Sequence, residues 1–102
     1  MNDVFEVRYL STAIADLEDI FDYILQDNPS AAASMLEKFD AAVSRLAGNP
    51  YLGVVPRDER LRRLSYHMLM IIAEYLVFYV VKSRTVQIRR IIHGARNYRF
   101  LL

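Results

Sequence analysis

The sequence predicts an α+β domain of two layers: an N-terminal strand, then an antiparallel helical hairpin packed on a mainly antiparallel sheet, in the order β-α-α-β-β-β. Three observations predict it. Apolar residues recur at helical spacing from residue 13 to residue 46, and an Asn-Pro pair interrupts the run. Three β-rich segments follow between residues 63 and 92, joined by connections too short for crossovers. A further β-rich run, residues 4–9 (VFEVRY), precedes both helices.

Ser11 and Thr12 offer N-cap oxygens to a first helix running to about Gln26. Ala13, Leu17, Ile20 and Ile24 form its apolar stripe, and Asp16, Glu18, Asp19 and Asp22 cover its other faces, with Asp16 near the positive helix start. Asn28 caps a second helix and Pro29 sits in its first turn, where a missing N–H costs nothing. Ala32, Leu36, Phe39, Val43 and Leu46 repeat at alternating four and three, a narrow packing seam, and Gly48 and Pro50 end the helix. So short a connection makes the two helices antiparallel.

Residues 50–61 carry two Pro, one Gly and a charge cluster, and read as a surface loop. The predicted strands are 63–72, 75–82 and 85–92, with connections at Ala73-Glu74 and Ser83-Arg84. The continuous apolar run 75–81 predicts a central strand covered on both faces, although no segment stands out as the cover for the second face.

Composition narrows the function classes. The 102 residues suit one domain, spanning 1–102. With no Cys, disulfides and thiolate metal sites are excluded, and His67 and His93 have no His or Cys at ligand spacing, so neither a metal nor a cofactor is expected. The N-terminus carries Asp3 and Glu6 and lacks the apolar core of a signal peptide. The longest apolar stretch, 68–81, is interrupted by Glu74 and too short to span a bilayer, which makes the cytoplasm the expected location.

Net charge is +1, but residues 1–50 hold 3 basic residues against 9 acidic ones, while residues 51–102 hold 10 against 3. Eleven of the 13 basic residues are Arg, whose fork suits phosphate and carboxylate. Two readings follow: an anionic partner for the C-terminal half, or pairing between the halves.

Chemistry concentrates in residues 86–99 (VQIRRIIHGARNYR). Strand alternation places Val86, Ile88, Arg90 and Ile92 on one face, and Gln87, Arg89, Ile91 and His93 on the other. Arg90 on an apolar face needs an anion, either an internal carboxylate (Glu74 or Glu6) or one brought by a ligand. His93, Arg96, Tyr98 and Arg99 then fall within seven residues. For phosphodiester cleavage His or Tyr would move the proton and Arg would stabilise the phosphorane. As a recognition patch Arg would hold phosphate and Tyr would stack. A solvated tail tucked against the domain is the plainest reading, and His67 reads as a half-buried strand residue.

Several runs resemble the RelE/ParE toxin family, particularly its ParE-like branch: Ala13-x-x-Asp16-Leu17-x-x-Ile20-x-x-Tyr23-Ile24, Asn28-Pro29 with Ala31-Ala32-Ala33, Leu46-x-x-x-Pro50-x-x-Gly53, Tyr75-Leu76-Val77-Phe78-Tyr79, and Ile88-x-Arg90-Ile91-Ile92-His93-Gly94-Ala95-Arg96-Asn97. The resemblance covers nearly the whole chain in order. It implies the toxin of a bacterial type II toxin–antitoxin (plasmid stabilization) system that inhibits growth. A co-encoded antitoxin would hold it inactive by wrapping the helical hairpin and sheet. A homodimer or a toxin–antitoxin heterotetramer is compatible with that role.

The target depends on the branch. RelE-like members cleave mRNA on the ribosome and resemble Tyr-Arg-Leu-Val-Tyr in the central strand, where this chain has Leu76 in place of the Arg. Arg96 is kept, but the RelE-like catalytic Tyr falls near the chain end, and Tyr98 is out of register with it. The ParE branch inhibits DNA gyrase without acting as a nuclease, and the resemblance favours it. On that reading Arg89, Arg90, Arg96 and Arg99 bind the target. On the alternative, an mRNA endoribonuclease, His93, Arg96 and Tyr98 are catalytic. A third reading is a non-catalytic dimerising module that binds a partner protein.

Overall fold

In a computed structural model, which describes residues 4–71, 74–94 and 102, the chain runs β1 (Glu6–Tyr9), α1 (Ser11–Asp27), α2 (Pro29–Gly48), α3 (Glu59–Arg63), β2 (His67–Ile71), β3 (Tyr75–Lys82) and β4 (Thr85–His93). The strands form one sheet in the order β1-β4-β3-β2. β2, β3 and β4 make an antiparallel meander, and β1 pairs parallel with β4. The α+β class and the helical hairpin are as the sequence predicts.

Local signals decided several boundaries. Asn28 caps α2, its side chain accepting the Ala31 N–H at 3.1 Å, with Pro29 in the first turn. The β3–β4 hairpin turns at Ser83 and Arg84, both at positive φ (52° and 61°), the backbone that matches strand twist in a two-residue turn. Ser11 and Thr12 do not cap α1. The N-cap is Leu10, with no side-chain cap, and the Thr12 hydroxyl donates instead to the Arg89 carbonyl at 2.8 Å.

The hairpin covers one face of the sheet. Ala13, Met35, Phe39, Ala42 and Leu46 pack there against Tyr75, Val77, Tyr79, Val86, Ile88 and Ile91. The buried seam of α2 is thus Ala32, Met35, Phe39, Ala42 and Leu46. Leu36, expected on the seam, is exposed and Val43 only partly buried, because the helix turns a few tens of degrees from the expected stripe.

The second face has its own cover. Residues 59–63, expected as loop and strand, form α3, with Asp58 accepting the Leu61 N–H at 3.1 Å and arginines in the last turn, where they suit the helix dipole. This helix delivers Leu61, fully buried, onto Leu76, Phe78, Val80 and Ile92, beside Tyr66. Leu102 packs against the same cluster, and its carbonyl accepts Arg60 Nη1 at 3.2 Å. The first meander strand consequently begins at His67 rather than at residue 63.

Loop 49–55 is fastened to β2 and β3 at Gly53 and Val54. Val54 and Met68 exchange both backbone hydrogen bonds (2.9 and 2.8 Å), and the Gly53 N–H donates to the Tyr79 hydroxyl at 2.9 Å. A Cβ at Gly53 would lie 2.7 Å from the Met68 carbonyl oxygen and 2.8 Å from the Tyr79 hydroxyl, so only glycine fits.

Candidate functional site

The site predicted from sequence centres on β4, and its local geometry is set by a bulge. Phe78 pairs with Arg90 and Tyr79 with Ile88, leaving Arg89 as the extra residue. Alternation therefore breaks at Arg89. Val86 and Ile88 face the helical hairpin as expected, but Ile91 joins them and Ile92 turns to the second face. The expected partition, with Arg90 and Ile92 beside Val86 and Ile88, is corrected by this single inserted residue.

β1 is only four residues long, so its pairing with β4 ends at Tyr9–Ile88. Beyond that point α1 takes over the edge. Leu10 N–H donates to Ile88 O at 2.9 Å, Thr12 Oγ1 to Arg89 O at 2.8 Å, and Ile91 N–H to Asp16 Oδ2 at 2.9 Å. Thr12 and Asp16 are one helical turn apart, a rise of about 6 Å, against roughly 6.6 Å for the two strand residues they serve. Helix side chains replace the missing strand.

Arg90 completes this junction. Its Nε and Nη2 donate to the two oxygens of Asp16 at 2.7 and 3.0 Å, with both side chains mostly buried (26% and 16% exposed). That hydrogen bond, working against desolvation, raises the Arg90 pKa above its ordinary value. The internal-pair reading is the one observed, but the partner is Asp16 rather than Glu74 or Glu6. Asp16 lies in the second turn of α1, not in its first.

The remaining described candidates diverge. The Arg89 guanidinium lies 5.7 Å over the Tyr66 ring on the second face, and its Nη2 donates to Gln87 Oε1 at 3.3 Å. Its Nε is buried with no acceptor among the described residues. His93, exposed at the end of β4, sets its ring edge-on against Tyr75, which belongs to the hairpin-side core. Arg89 and His93 therefore stand on opposite faces of the sheet. Arg96, Tyr98 and Arg99 lie outside the described residues.

His67 stacks on Tyr79 (centroids 5.5 Å, 21°) and meets Tyr51 edge-on, the half-buried strand residue expected. Leu76 is 7% exposed and packs in the second core. Among the described residues no group of three His, Asp or Glu side chains is placed to hold a metal, and no helix is long and apolar enough to cross a membrane.

Sequence reasoning missed two groupings. A cavity of about 350 Å³ opens between the hairpin and the start of β3, lined by Tyr23, Ile24, Met35, Lys38, Glu74 and Tyr75. The hairpin's outer surface exposes Ile14, Tyr23, Leu25 and Leu36, with a groove between Leu17, Phe21 and Leu36 flanked by Glu18 and Asp22. The only sequence signal for either was apolar residues off the main stripe.

Residues 7–98 match the family model described as the ParE toxin of the type II toxin–antitoxin system parDE. The chain belongs to this ParE toxin family. It is a type II toxin of the RelE/ParE class, as the sequence resemblance implies. Over 91 residues it is 37% identical to Toxin RelE2 of Caulobacter vibrioides, covering 89% of this chain and 97% of that protein. The fold is shared with the chromosomal ParDE system of P. aeruginosa (TM-score 0.72, 20% identity, 89% of this chain and 97% of that one). It is shared too with the RelBE2 toxin–antitoxin complex of Mycobacterium tuberculosis (TM-score 0.60, 24% identity, 91% and 94%). In this ParE-family chain, then, the Asp16–Arg90 junction locks the strand that leads into the predicted site.

Proposed function

We propose that this ParE-family toxin arrests growth by poisoning DNA gyrase, and that it is not a nuclease. The burial of Leu76 carries the reading. At the position where the nuclease branch resembles a phosphate-binding Arg, this chain has a side chain packed among Leu61, Tyr66, Phe78 and Ile92. Phosphodiester cleavage needs a placed base and charge stabilisation at one phosphate. Arg89 and His93, on opposite faces, do not converge on one. On this reading the target-contacting residues are Arg89 and His93, one on each face of the sheet, together with Arg96, Tyr98 and Arg99 of the sequence that follows, while Arg90 holds the strand.

The partner that neutralises it is a co-encoded antitoxin segment that orders on binding. The exposed apolar side chains of the hairpin and the 350 Å³ cavity support this, as does the naming of both structural neighbours as toxin–antitoxin systems. The cytoplasm, where gyrase works, is the corresponding location.

One observation favours the second reading, a ribosome-dependent mRNA endoribonuclease using His93, Arg96 and Tyr98: the relative at 37% identity is named Toxin RelE2. A supercoiling assay and primer extension on a translated message, run on one preparation, separate the two. Blocked supercoiling with an intact message is expected. Codon-positioned cuts with unaffected gyrase overturn the proposal, and inactivity in both assays points to the partner-binding module.

A further inference from the structure

The segment that folds into α3 gathers charge as well as Leu61. Arg57, Glu59, Arg62 and Arg63 line a concavity of about 580 Å³ on the surface, and all four are exposed. The acidic residues of the segment are already engaged: Asp58 caps the helix and Glu59 pairs with Arg63 at 2.7 Å. Arg57 and Arg62 have no carboxylate within ion-pair distance among the described residues. Burial of Leu61 holds these arginines in place, and Tyr66, whose N–H donates to Leu61 O, carries Arg89 over its ring. Arg89 of β4 thus lies on the same face of the sheet as α3.

We infer that this concavity is a binding site for the phosphate backbone of duplex DNA. Its lining favours this partner over the others. The interface of a folded protein is centred on a buried apolar or aromatic anchor, and no apolar residue lines this concavity. An acidic peptide is the competing anion, which competition with poly-glutamate separates. A single strand is held largely by bases stacking on exposed aromatic rings, and no ring lines it either. Forked guanidinium groups just before and along a short helix, with no apolar side chain among them, match what a duplex backbone offers. The protein's net charge of +1 is too small for bulk attraction, so binding must come from local basic clusters, of which this is one. The inference stands apart from the gyrase reading, since binding is measured with neither gyrase nor ribosome present and can fail while that reading holds.

The test is fluorescence anisotropy of a labelled 20-base-pair duplex of mixed sequence, titrated with the full chain at several salt concentrations. The triple variant R57Q/R62Q/R63Q should bind at least tenfold more weakly at low salt, and its log–log salt slope should be shallower by about 2 to 3, near one per lost contact. Arg45→Gln on α2 should leave binding unchanged. The three single variants, each checked by circular dichroism, keep the result readable if the triple variant does not fold. No duplex binding by the unaltered chain, or equal binding by the variants, overturns the inference. So does tighter binding of a single-stranded RNA of equal length, or displacement of the duplex by poly-glutamate at equal charge.

Discussion

Asp16 on α1 and Arg90 on β4, 74 residues apart, form a forked ion pair in which the same carboxylate also accepts the Ile91 N–H. One acidic side chain thus ties the helical hairpin to the sheet edge that β1 leaves uncovered. Removing either partner strands the other in a mostly buried setting. Arg90→Ala should cost about 2–3 kcal/mol, below the range for a fully buried pair because a quarter of the Arg surface is wet. Asp16→Ala should cost somewhat more, since Ile91 N–H is orphaned as well. Arg90→Lys should recover only part of the loss, lacking the fork. Urea midpoints check all three, and an unchanged midpoint for Arg90→Ala would show that the junction contributes nothing.

Gly53 and Tyr79 give a second stability prediction. Gly53→Ala forces a Cβ against the Met68 carbonyl and the Tyr79 hydroxyl, and should destabilise by about 1–3 kcal/mol. Tyr79→Phe leaves the Gly53 N–H without its acceptor, at a cost of about 1–3 kcal/mol. Because both act on one contact, the double variant should cost less than the sum, which a double-mutant cycle measures.

Three tyrosines predict the alkaline limit of the fold. Burial pushes the phenols of Tyr9, Tyr75 and Tyr79 above the ordinary value of 10, with Asp40 adding to the shift at Tyr9, Glu74 and Tyr23 adding at Tyr75, and the Gly53 hydrogen bond opposing it at Tyr79. Above pH 10 the unfolded chain releases these protons before the folded one does, so it binds fewer of them. Stability therefore falls as pH rises from 10 through the folded values, and is fully present below 10. Denaturant midpoints from pH 8 to 12 should show that decline. Tyrosinate absorbance should show a late-titrating group that Tyr9→Phe and Tyr75→Phe each reduce.

Leu76→Arg tests the nuclease alternative directly. A guanidinium at this 7% exposed position enters an apolar cluster, so the variant should lose about 3 kcal/mol or more. It should not acquire message cleavage, because His93 faces away from that cluster. Primer extension and thermal melts on the variant measure both, and a stable Leu76→Arg protein that cuts mRNA would count against the gyrase reading.

Much of the fold was legible because its signals are local. Asn28-Pro29 fixes where one helix ends and the next begins by backbone chemistry within four residues. The β-branched and aromatic run at 75–82 became β3 with both predicted ends intact. α3 was missed because five residues are too few for a periodic pattern, and its cap, Asp58, sat inside what read as a charge cluster. At the site, the identities of Arg89, Arg90 and His93 were visible, but their directions were not.

By itself the sequence determined the helical hairpin and the strands around it, the apolar stripe of α1, the central strand and the kinship with ParE toxins, since all of these depend on residue type and short-range spacing. Tertiary structure alone decided the rest. The bulge at Arg89 exists only in the register between β3 and β4, and it reverses every side chain beyond it. Arg90 took Asp16 rather than Glu74 or Glu6 because β1 stops at Tyr9, leaving strand edge for α1 to cover. Arg57, Arg62 and Arg63 came to line a single concavity because burying Leu61 pins α3 to the sheet's second face. Those outcomes depend on which backbone groups remain unpaired once the elements meet, a quantity that no local window of sequence contains.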